Sequence, residues 1–176
     1  KYIDLMVQEH VLIKRMLKVV RAYCQRIIDG KKVDYSDFLL IADFIRNYAD
    51  LHHHGKEEKL LFKAMVDELG PLADKVITRG MLVEHDLGRF YVSEMAAAAE
   101  LLTGREADAR LDLVANAMAY VNLLHRHIDK EDNAVFKFAA GNLQADTHAR
   151  LAGECDRYEA DAEQAGVQAR YLKLLE

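Results

Sequence analysis

The chain has 176 residues, 51% hydrophobic and 30% charged, with a formal net charge of −5, one proline, nine glycines and no tryptophan. That length suits one domain and would leave two independent ones marginal, while sparse Gly and Pro favour long helices over a turn-rich β fold. Net negative charge without a Lys/Arg block excludes a nucleic-acid or anionic-membrane surface. No apolar run reaches membrane-spanning length and no secretory signal layout opens the chain. Cys24 and Cys155 lie far apart with no Cys-x-x-Cys neighbour, which reads as two buried thiols in a reducing compartment. The expectation is a cytoplasmic all-α protein, monomeric or homodimeric, that contacts neither nucleic acid nor membrane.

Apolar residues recur at helical spacing through Ile3, Met6, Ile13, Leu17, Val20, Cys24 and Ile27, and the run stops at Asp29-Gly30. A second helix starts after Ser36 or Asp37, carries Phe38, Ile41, Ile45, Ala49, Leu60 and Met65, and breaks at Gly70-Pro71. A third is predicted from about Asp74 to Leu102, closing at Thr103-Gly104, and a fourth from about Ala107 to Ala140, closing at Gly141-Asn142. A weaker fifth helix opens at Asp146 or Thr147 and carries Leu151, Tyr158 and Tyr171. Short connections predict an antiparallel up-down-up-down four-helix bundle over 1–143. The remainder, 144–176, is expected as an added helix packed on the bundle or at a dimer interface.

The chain also repeats itself. His53-His54-Gly55-Lys56-Glu57-Glu58-Lys59-Leu60-Leu61-Phe62 aligns without a gap on His127-Ile128-Asp129-Lys130-Glu131-Asp132-Asn133-Ala134-Val135-Phe136, and Glu9-His10 matches Glu84-His85. Counting at 1.5 Å per residue from each turn, antiparallel helices bring His10, the His53/Glu57 pair, His85 and the His127/Glu131 pair to one height. Unrelated surface histidines have no reason to share a layer.

On a regular α-helix His53 shares its face with Ala42, Ile45, Ala49, Leu60 and Ala64, with Glu57 one turn further on. His54 falls along Asp43, Asn47 and Asp50. His127 and Glu131 share a face with Tyr120, Leu123, Leu124, Ala134 and Phe138; His10 and His85 are likewise flanked by apolar residues. His52, His54, His125 and His148 are read as exposed, or as groups that orient the inward ones through hydrogen bonds. Four imidazoles and two carboxylates in a buried layer, with no inward Lys or Arg evident, call for cations, because an unpaired buried carboxylate costs several kcal/mol. Imidazole with bridging carboxylate in an octahedral setting favours iron or manganese over zinc. The expected centre is two iron ions held by His10, His53, Glu57, His85, His127 and Glu131, with the glutamates bridging.

The blocks His53–Phe62, Glu84-His85-Asp86-Leu87-Gly88-Arg89 and His127–Phe136 resemble the signatures of the hemerythrin-like His-His-Glu cation-binding family, a resemblance that extends to about residue 140. It implies a carboxylate-bridged di-iron centre, oxo- or hydroxo-bridged when oxidised. His10, His53, His85 and His127 would be terminal ligands, and O2, peroxide or nitric oxide the small partner. The sequence departs from the oxygen-carrier pattern one turn before His85, where Met81 replaces an expected histidine. Water, Glu84, Tyr48, Tyr91 or Tyr120 could stand in, and Gly88 could leave room for a small ligand. Two functions are compatible with this: a redox enzyme of peroxidase, catalase or oxidase type, and a non-enzymatic protein that binds, stores or senses O2, nitric oxide or iron. A third alternative is an interaction module whose metal only staples the helices.

Overall fold

The structure, a computed structural model, describes residues 1–104 and 109–175, and every element among them is helical. Helix α1 is Tyr2–Ile28. Its buried residues Met6, His10, Ile13, Leu17, Val20 and Cys24 fall at three- and four-residue spacing, and the chain turns at Gly30 with φ 68°. Helix α2 covers 36–69 and α3 covers 71–103. They meet at Gly70, whose φ of 73° and ψ of −159° only glycine adopts without strain. The third helix therefore begins at Pro71, not near Asp74, because a proline in the first turn forfeits no hydrogen bond. The fourth, α4, covers the described residues 109–142; the expected start near Ala107 lies outside the described residues. It continues two residues beyond Ala140 and ends where Leu143 turns extended, with ψ 147°. The C-terminal segment is two helices rather than one, α5 (Ala145–Gln164) and α6 (Val167–Leu174), because Gly166 at φ 74° interrupts it.

Successive helices contact one another in reversed order. Glu9 on α1 reaches His53 on α2 while Tyr23 reaches Asp37; Glu58 reaches His85 on α3 while Asp50 reaches Arg89. On α4, His10 meets Asp132 and Lys14 meets Asp129.

Two apolar cores form, one on each side of a polar layer. The first gathers Ile13, Leu17, Val20, Phe38, Phe44, Val92 and Leu124. The second gathers Met6, Leu61, Phe62, Met65, Ile77, Met81 and Phe136. Along α1 the order is Met6, then Glu9 and His10, then Ile13, so one turn of polar side chains separates the two cores. Buried Leu151 and Cys155 on α5 join the second core, and Tyr171 on α6 joins the first, edge-on to Phe44 at 5.7 Å. No helix among the described residues is long and apolar enough to cross a membrane.

Candidate metal centre

All six predicted residues lie in the polar layer and are buried: His10, His53, His85 and His127 at 1–2% exposure, Glu57 and Glu131 at 0%. Their donor atoms fall into two groups, each within 4.8 Å of one another. One consists of His10, His53, Glu57 and Glu131; the other of His54, Glu57, His85 and His127. Glu57 belongs to both. Glu131 also spans them, with Oε2 3.3 Å from His10 Nε2 and Oε1 3.2 Å from His127 Nε2.

The residue that sequence reasoning missed is His54. It is buried beside His53, and its ring stacks on His85 with centroids 3.8 Å apart and planes 10° apart. Placing it with Asp43 and Asn47 assumed a regular α-helix. The backbone over Ile45–His54 is a π-helix, with more residues per turn and a smaller angle between consecutive side chains, so two neighbouring histidines turn inward together. Further π turns lie at Glu57–Phe62, Ile77–Met81 and Glu131–Val135, all next to the polar layer. Met81, where a histidine was expected, packs in the apolar core. A fifth imidazole in the layer comes from α2 instead, and Tyr120, one of the suggested substitutes, stands near it with its buried hydroxyl unpartnered. Glu84 lies behind His127, Tyr48 packs between Phe44 and His52, Tyr91 packs beside Phe90, and Tyr120 lies against Gly88. His52 is buried too, whereas His125 and His148 are only partly covered.

Each of the five imidazoles has a carboxylate behind it. Nδ1 of His10 lies 2.7 Å from Asp132, that of His53 2.8 Å from Glu9, and that of His54 3.2 Å from Asp50; for His85 the partner is Glu58 at 2.7 Å and for His127 it is Glu84 at 2.9 Å. A carboxylate accepts, so Nδ1 carries the hydrogen and the Nε2 lone pair is left to face the centre. His53 Nε2 is 3.3 Å from Glu57 Oε1, and His85 Nε2 is 3.6 Å from Glu57 Oε2. None of the four carboxylate oxygens of Glu57 and Glu131 has a hydrogen-bond partner, nor has Nε2 of His10 or His53. Buried acceptors so arranged fit a bound cation.

The electrostatics express the same demand. Burial disfavours the charged imidazole of His53, but Glu57 and Glu9 override it and push the pKa up to about 10. Burial is likewise outweighed at His127, raised to about 10 by Glu131 and Glu84. For Glu131, burial works against ionisation, yet His127 and His10 hold its carboxyl far below the usual range. Without a metal these carboxylates draw protons onto the imidazoles, and a bound cation would take the protons' place.

The expectation that no Lys or Arg points inward fails at Lys56, which is fully buried. Its ammonium goes to Glu9 and Glu159 and leaves Glu57 and Glu131 unpaired. A cavity of about 220 Å³ opens beside the layer, with His54 and His85 in its wall together with Gly88, Val92, Tyr120 and Arg46.

An all-helical chain with five imidazoles and two carboxylates buried in two overlapping groups is built as a cation-binding protein. Comparison with family models gives the matching result: the chain belongs to the hemerythrin HHE cation-binding domain family, whose model matches residues 1–139. Comparisons with curated proteins and with solved structures gave no match.

Proposed function

We propose that the chain is a hemerythrin-like non-haem di-iron protein, an antiparallel up-down-up-down four-helix bundle that binds or reacts with O2, peroxide or nitric oxide. The reversed order of cross-helix contacts supports the topology. The observation that carries the function is the pair of overlapping donor groups sharing Glu57, which suits two ions bridged by carboxylate better than one. His10 and His53 would hold one ion, His54, His85 and His127 the other, with Glu57 and Glu131 between them. Mixed imidazole and carboxylate donors favour iron or manganese, and seven side chains leave octahedral positions free.

Two irons would supply one-electron redox chemistry and an exchangeable position for a small ligand. The chain's own residues do the rest. The outer carboxylates fix each imidazole as the Nδ1–H tautomer and aim Nε2 inward. Phe136 stacks on His10 at 5.5 Å with planes 3° apart, closing that side against water. On the other side the 220 Å³ cavity brings solvent-borne molecules to His54 and His85. Gly88 lines it, and a Cβ there would make ordinary van der Waals contact with Tyr120 and Leu124, each at 3.6 Å.

The test is elemental analysis of protein purified without added metal, with visible spectra before and after reduction. Two irons per chain and a ferric spectrum bleached by reductant are expected; stoichiometric colourless zinc, or no metal, overturns the reading. On loaded protein, peroxide turnover abolished by His53→Ala or Glu131→Ala marks an enzyme, while a stable, reversible O2 adduct without turnover marks a binding or sensing protein.

A further inference from the structure

A second polar cluster lies behind the metal layer. Lys56 Nζ contacts Glu9 Oε1 and Glu159 Oε1 and lies 3.2 Å from His52 Nε2. His52 Nε2 is itself 3.0 Å from Glu9 Oε1 and 3.3 Å from Glu159 Oε1. Glu9, His52 and Glu159 are spaced as metal ligands would be. The cation among them is already present, however: it is the lysine, covalently part of the chain. A third ion would have to displace a buried ammonium from two carboxylates.

The cluster is joined to the metal layer through one residue. Glu9 uses Oε1 for Lys56 and His52, and Oε2 to accept from His53 Nδ1 at 2.8 Å. Similar links stand behind the other imidazoles: Asp132 pairs with Lys14, Glu84 with Lys130, and Asp50 and Glu58 with Arg89. Those cations are 32–49% exposed, where water screens their effect. Lys56 is 0% exposed and Glu9 only 5%, so their interaction is scarcely screened. Of these cations, Lys56 is the one paired with a carboxylate of α5, Glu159, which lies beyond the residues 1–139 that the family model matches.

We propose that Lys56 and Glu159 are positioning residues that set, through Glu9, how strongly His53 donates to its ion, making the C-terminal helix part of the metal centre. This rests on the di-iron reading above. Lys56 divides its charge between two carboxylates. Remove the Glu159 charge and the ammonium belongs to Glu9 alone, which then presents less negative charge to His53 Nδ1–H and leaves Nε2 a poorer donor. Remove the Lys56 charge and Glu9 presents more, leaving Nε2 a better donor. The two changes must act with opposite sign.

The experiment is anaerobic ferrous-iron titration and measurement of the midpoint potential on full-length wild type, Glu159→Gln, Lys56→Met and the double variant, with circular dichroism to confirm folding. Glu159→Gln is expected to raise the potential and weaken one of two ions by up to about tenfold, since a partner directly behind a metal ligand is worth about tenfold or more and Glu159 acts one step further out. A tenfold change in ferric-over-ferrous preference is ~59 mV for one electron. Lys56→Met is expected to lower the potential, and the double variant to return close to wild type. In a Glu9→Gln background the Glu159→Gln shift should vanish. A purely structural contact would weaken both ions or the fold, and move both single variants the same way. Potentials that shift together or stay put, or a full Glu159→Gln shift in the Glu9→Gln background, overturn the proposal while leaving a two-iron wild type intact. If Lys56→Met fails to fold, the Glu159→Gln pair, with and without Glu9, decides alone. A wild type that takes up no iron overturns the functional reading instead, and this one with it.

Discussion

His53 and His54 are consecutive, yet both are buried and each serves a different donor group. In a regular α-helix neighbouring side chains diverge too far for that, and the π turn is what allows it. The consequence is testable at single residues. His54→Ala should cost at least about tenfold in affinity for one ion and leave the other bound, since even a partner behind a ligand is worth that much. Chelator competition on the loaded protein reads this directly. His125→Ala, two residues from His127 but only partly buried and outside both groups, should bind as wild type does. Equal losses in the two variants would mean that His54 is not a ligand.

At the scale of elements, the π turns among the described residues lie on α2, α3 and α4 beside the polar layer, and α2, which has two of them, alone contributes two imidazoles. On α2 the widened turn places an extra imidazole inward, at the cost of poorer hydrogen-bond geometry that packing offsets. The C-terminal helices provide part of that packing. Tyr158 donates to the carbonyl oxygen of Leu51 at 2.6 Å, and a Cβ added at Gly55 would collide with the Tyr158 hydroxyl. Gly55→Ala should gain about 1 kcal/mol of helix propensity and lose a hydrogen bond worth about 1 kcal/mol. Global stability should therefore hardly change, while amide exchange over 145–164 speeds up. Unchanged protection there would show that Tyr158 does not depend on the glycine.

For the whole molecule, metal and pH should act on stability in predictable directions. An ion that binds only the folded chain stabilises it by about 2.7 kcal/mol at a hundred times its Kd. For a chain of this size each kcal/mol moves Tm by about 2–4 °C. Stripping two such ions should thus lower Tm by roughly 10–20 °C, and a calorimetric scan with and without chelator would show it. Alkali should destabilise the metal-free protein. Burial pushes Cys24 and Cys155 up to about 11 and, with Cys155 and Glu68 nearby, Tyr2 up to about 12; Tyr48 and Tyr120 are raised as well. The raised thiols and phenols add stability that is complete below about pH 9, whereas that of His53 and His127, raised to about 10, already declines above their unfolded values near 6.5. The thiol and phenol contribution is lost as the pH climbs through 11 to 12. Thiol labelling and phenolate absorbance should therefore appear together with loss of helical signal; labelling of Cys24 and Cys155 at pH 8 in the folded chain would contradict this.

Much of this was legible in the chain itself. The apolar spacing on α1, the Gly70-Pro71 break and the repeat linking His53–Phe62 with His127–Phe136 reveal an all-helical chain with a polar layer. All six residues named from those patterns are buried in that layer. Their legibility has a local cause: periodicity and turn chemistry depend on neighbours in sequence. His54 and Lys56 were not legible, because which way each points depends on a helical pitch that packing from other helices imposes. Glu159 was hidden for a different reason, since its partners Lys56 and His52 lie about a hundred residues away. By itself the sequence determined the four long helices, the polar layer and six of the side chains buried in it, because these follow from local pattern. Only the tertiary structure decided the place of His54 in that layer, the carboxylate behind each imidazole and the hold of the C-terminal helix on Lys56, because these depend on contacts between residues that no sequence period relates.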